Sequence, residues 1–104
     1  TLVTHVKPTE QHYNKLKLLN GTVETILEWD KKGYNIILTT GRKESLRQIT
    51  ENQLSEAGII YDQLIMGIGG GKRYLINDKK SYSDEDYAIA INLNRNQGIK
   101  NIDI

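Results

Sequence analysis

The sequence predicts an α/β domain on a parallel sheet, and three observations carry the prediction. Helix-like and strand-like segments follow one another in the order helix, strand, helix, strand, strand, an alternation expected of parallel strands joined by right-handed crossovers. The run from Tyr34 to Thr40 holds three consecutive aliphatics, Ile36, Ile37 and Leu38, between Gly33 and Gly41, which suggests a strand covered on both faces. At 104 residues the chain supports one core, so residues 1–104 are read as a single domain.

Residues 1–19 surround the only proline, Pro8, without sustained periodicity; a loop with a short helical turn near Tyr13 to Leu19 is expected. Asn20 then offers a side-chain acceptor at a helix start, Glu24 puts negative charge in the first turns, and Val23, Ile26, Leu27 and Asp30 share one face with Trp29 beside it. Lys31, Lys32 and Gly33 supply the cations and glycine typical of a helix end, so the helix is placed at 21–32. After the strand at 34–40 comes a second helix at 43–57, with Leu46, Ile49, Gln53, Leu54 and Ala57 near one face and Gly58 to end it. Strands are expected at Gln63 to Met66, at Tyr74 to Ile76 beyond the bridge Gly67 to Gly71, and at Tyr87 to Leu93 after a polar stretch from Ser81 to Asp86.

Composition excludes several function classes. Hydrophobic residues make up 38% of the chain and its formal net charge is +1; that balance is ordinary for a folded domain and lacks the positive field on which nucleic-acid binding depends. The absence of cysteine removes disulfides, thiolate zinc sites and cysteine nucleophiles. No apolar stretch approaches a membrane span and no basic-then-apolar leader opens the chain, so a cytoplasmic protein without a membrane partner is expected. The chain opens on Thr1 rather than Met, which suggests a cropped or processed sequence.

In open parallel sheets ligands collect beyond the carboxyl ends of the strands. Thr39, Thr40, Gly41 and Arg42 end one predicted strand, and Asn77, Asp78 and Lys79 end another. The first group offers hydroxyls and amides suited to an anion such as phosphate; the second offers a carboxylate suited to magnesium. Thr and Gly are also common at helix starts, and Asn-Asp is a common turn pair. Gly67 to Lys72 fails as a phosphate loop, because Met66 and Arg73 stand where glycine and Ser or Thr are needed; a connector before a strand is the plainer reading. His5 and His12 lack a spacing that would join them on one metal, and Ser81 to Asp86 reads as a solvated acidic turn.

Together, Thr1-Leu2-Val3, the run Ile36 to Arg42 and Tyr74-Leu75-Ile76-Asn77-Asp78 resemble the haloacid dehalogenase (HAD) superfamily of phosphohydrolases, in its small, nearly capless form, over residues 1 to about 80. The resemblance implies a three-layer, Rossmann-like α/β domain whose first strand, with its Asp-x-Asp-Gly segment, lies upstream of Thr1. It implies a magnesium-dependent phosphohydrolase acting on a small phosphorylated metabolite, possibly a sugar phosphate, through an aspartyl-phosphate intermediate. Thr40 matches the hydroxyl that grips a phosphoryl oxygen, with Gly41 and Arg42 beside it; Thr39 is assigned to packing by the two-residue period. Asp78 matches the Mg2+ ligand, and Lys72 is the candidate for the charge-neutralising lysine, with Lys79 or Lys80 as alternatives. A non-catalytic α/β binding or regulatory domain is the competing reading.

Overall fold

The computed structural model describes residues 1–3 and 17–104. Its elements are α1 (Thr22–Lys31), β1 (Ile37–Thr39), a 3-10 turn (Glu44–Leu46), α2 (Arg47–Ala57) and β2 (Gln63–Ile65). β1 and β2 pair in parallel, with Ile37 opposite Gln63, Leu38 opposite Leu64 and Thr39 opposite Ile65. A parallel pair needs a long connection, and α2 supplies it, as the alternation of segments predicts. The fold is α/β.

α1 is built at its start by Thr22 rather than by Asn20. Gly21 precedes the helix without a side-chain cap, and the Thr22 hydroxyl is shared between the carbonyls of Leu2 at 2.7 Å and Leu19 at 2.8 Å. The Leu19 amide also donates to the Leu2 carbonyl, and Val3 bridges Leu18 in antiparallel fashion, so the first residues are stitched to the helix start. The inward stripe runs through buried Thr22 and Ile26 and half-buried Trp29, an i, i+4, i+7 spacing, whereas Leu27, expected inside, is 41% exposed. The end follows the sequence signal: the Tyr34 amide donates to Trp29 O and the Gly33 amide to Asp30 O, with Gly33 at φ 87°. This is a Schellman motif, which places glycine where the left-handed conformation is needed.

β1 is shorter than the predicted 34–40 because its flanks bond elsewhere. The Tyr34 amide closes α1, and the Ile36 amide donates to the Asp62 carboxylate at 2.6 Å while the Asp62 amide donates to Ile36 O at 2.7 Å. Leu38 and Leu64 face the core of Ile26, Ile36, Leu54, Ile59 and Ile99. On the opposite face Ile37 and Ile65 are exposed, so among the described residues the strand pair is covered on one side, not both as the aliphatic run suggests. α2 ends in a second Schellman pair, Gly58 N to Ser55 O and Ile59 N to Leu54 O, and both apolar partners of that turn, Leu54 and Ile59, are buried. Fully burying an aliphatic side chain of this size stabilises by about 1.5–3 kcal/mol.

The predicted strands at 74–76 and 87–93 are absent among the described residues. Tyr74, Leu75 and Ile76 are 82%, 77% and 95% exposed; a β-rich run becomes a strand only where a partner takes up its backbone groups, and none among the described residues does. The tail returns to the core through Ile99, and Gly98 comes so close to Leu19 that a Cβ there would lie 3.3 Å from the leucine Cβ. No helix among the described residues is long and apolar enough to cross a membrane. Most of the expected turn at 13–19, with His5 and His12, lies outside the described residues.

Candidate active site

The carboxyl ends of β1 and β2 are tied together by backbone. The Thr40 amide donates to Ile65 O at 3.0 Å, the Gly67 amide to Arg42 O at 2.8 Å and the Ile68 amide to Thr40 O at 3.4 Å. Beside this junction lies an open cavity of about 270 Å³, bordered by Thr39 at the end of β1, by Thr40 and Arg42 after it, by Thr50 and Leu54 of α2, and by Thr1, Leu2 and Val3. Its position at the strand ends is where open parallel sheets hold ligands.

Within it, Thr40 Oγ1 accepts the Arg42 amide at 3.2 Å. A hydroxyl has one hydrogen and two lone pairs, so this bond fixes the oxygen and leaves the hydrogen to donate to a ligand. The Arg42 side chain turns back onto α2, where Nη1 donates to Thr50 Oγ1 at 3.0 Å and to Gln53 Oε1 at 2.7 Å. Burial lowers the Arg42 pKa from its ordinary value. No carboxylate pairs with this guanidinium among the described residues, so the cavity keeps a cation on its wall.

The other predicted site residues lie elsewhere. Gly41 packs against the bridge after β2: a Cβ on it would lie 3.1 Å from the Gly69 carbonyl oxygen, so its small size serves loop-to-loop contact. That carbonyl accepts the Arg73 guanidinium at 3.0 Å. Lys72 is exposed and lines no part of the cavity. Lys79 pairs with Asp86 at 3.5 Å, and Lys80 Nζ stands 4.4 Å from the centre of the Tyr87 ring.

Asp78 borders a separate hollow with Asn77, Lys79 and Asp86, and that hollow shares no residue with the Thr40 cavity. Thr40 and Asp78, each read from the sequence as ending a strand, thus border different hollows; with no strand at 74–76, no sheet pairing among the described residues fastens Asp78 to the sheet edge. Carboxylate oxygens are the donors magnesium prefers. No group of three or more His, Asp or Glu that could hold a metal exists among the described residues.

The family model of the HAD superfamily, subfamily IIIB (acid phosphatase), matches residues 9–96. The chain belongs to that family. The match takes in Thr40, Gly41, Arg42, Lys72 and Asp78, begins after Thr1 to Val3, and runs past residue 80, where the resemblance read from motifs stops. It places the chain among phosphohydrolases. No curated protein and no solved structure matches the chain significantly.

Sequence reasoning missed Thr50 and Gln53 as the partners of Arg42. One signal was legible: Gln53 interrupts the otherwise apolar face of α2, and a polar group on a packed face needs a partner.

Proposed function

We propose that this chain forms the phosphate-binding part of a magnesium-dependent phosphohydrolase acting on a small phosphorylated metabolite, possibly a sugar phosphate. The observation that carries the reading is Thr40, its hydroxyl oxygen fixed by the Arg42 amide and its hydrogen left to donate, in a cavity that also holds the Arg42 guanidinium. A phosphoryl oxygen suits both donors, because charge-assisted hydrogen bonds are the stronger kind. The reaction would pass through an aspartyl-phosphate on the aspartate of the family's Asp-x-Asp-Gly segment, which is not among residues 1–104. Asp78 is retained as the candidate Mg2+ ligand and Lys72 as the candidate charge-neutralising lysine, both on family resemblance.

The test is turnover of p-nitrophenyl phosphate with magnesium by the complete protein. Thr40→Val should lower kcat/KM by about 10²-fold, the scale for losing one donor to a developing anion, and Asp78→Ala should severely weaken magnesium binding and turnover while leaving the melting temperature nearly unchanged. Full activity in Thr40→Val sinks the cavity assignment, and full activity in Asp78→Ala removes that residue from the site. The separation of Asp78 from Thr40 favours a second reading, a domain that binds phosphate without hydrolysing it; phosphate binding with no turnover in the complete protein would establish it.

A further inference from the structure

Arg42 is the one arginine among the described residues that lines the cavity, and Thr50 and Gln53 hold its guanidinium. Both acceptors, Thr50 Oγ1 and Gln53 Oε1, are uncharged, and both are reached from Nη1 alone. They sit three residues apart on α2, on neighbouring positions of one helix face, and Thr50 is only 5% exposed. Elsewhere on the same helix Arg47 is handled differently, pairing with the carboxylates of Glu44 and Glu51. Neutral acceptors fix a guanidinium without cancelling its charge, and a fork held at one nitrogen keeps its remaining N–H groups for a planar or tetrahedral oxyanion.

We propose that Thr50 and Gln53 are positioning residues that hold Arg42 as an uncompensated cation on the wall of the Thr40 cavity, so that the cavity selects an oxyanion of the phosphate type. The inference rests on the reading of that cavity as a phosphate site. A glutamate at position 53 would have nearly the same shape and would still accept from Nη1, but it would bring the charge that Arg42 needs to keep for its ligand. Thr50 works through its hydroxyl, so serine can replace it and valine cannot.

Binding of inorganic phosphate to the whole 104-residue chain, measured by titration calorimetry with melting temperatures recorded alongside, separates the possibilities. Gln53→Glu should weaken phosphate binding by about tenfold or more, and more than Gln53→Ala does, because one charge-assisted contact is at stake. Thr50→Val should weaken it several-fold and Thr50→Ser should restore it. A purely structural role gives the opposite ranking, with the near-isosteric glutamate tolerated better than alanine, and that ranking overturns the proposal, as does wild-type affinity in Gln53→Glu. Phosphate binding that is absent from the unaltered chain overturns the cavity reading itself, and the positioning roles with it.

Discussion

Ile36-Ile37-Leu38 and Tyr74-Leu75-Ile76 are both apolar triplets of high β-propensity, yet only the first feeds a paired strand. The first leaves a helix closed at Gly33, is fastened by Asp62 at its start, and feeds a strand that α2 returns to in parallel. The second follows the three glycines at 69–71 and stands exposed, with no helix after it to bring a partner alongside. Local pattern specifies what a segment can be; the elements on either side decide whether it is paired.

The sharpest way to break this comparison is to truncate one residue in each environment. Ile26→Ala, in the packed half, should cost about 2–5 kcal/mol of unfolding free energy, the range for deleting a buried aliphatic, while Ile76→Ala should stay within about 0.5 kcal/mol. Urea denaturation reads both; equal losses would mean that 74–76 is packed after all. Next in size is Asp62→Ala, which strands the amide of Ile36, a buried residue, and should cost about 1 kcal/mol by the same measurement. An unchanged midpoint would show that the carboxylate does not fasten β1.

The smallest effect is expected from Glu44→Gln. Hydrogen bonding to Arg47 holds the Glu44 carboxyl below its ordinary pKa, so the pair favours the folded state above the ordinary glutamate value and loses that contribution as pH falls through the depressed one. Because Glu44 is exposed, the pair should matter little. Melting curves of both proteins against pH should therefore nearly coincide, with any gap closing in acid and in high salt; a gap that widens in acid contradicts the sign.

Much of the part that runs from α1 to β2 is legible in the sequence. Gly33 and Gly58 end their helices as glycine after a helix should, and the parallel pair around α2 follows from segment order. Thr40 reaches a cavity at a strand end, as its place before Gly41-Arg42 suggests. What failed depended on distant partners. Asn20 looked like a cap only because the Leu2 carbonyl that engages Thr22 lies far off in sequence, and Leu27 was placed inside because a helical wheel does not say which stripe its neighbours cover. The separation of Asp78 from Thr40 belongs with these, since it turns on a strand at 74–76 that finds no partner.

The contact between Gly41 and Gly69 carries a last consequence. A side chain at 41 would push on the Gly69 carbonyl, whereas side chains at 70 and 71 would meet nothing within 4 Å. The bridge after β2 is thus closely packed beside Gly41, whereas Gly70 and Gly71 have open space around them, with the Gly71 carbonyl accepting from Arg73 at 3.4 Å. Its first half must keep step with the rim of the Thr40 cavity, while positions 70 and 71 have room for a side chain that does not press on that rim.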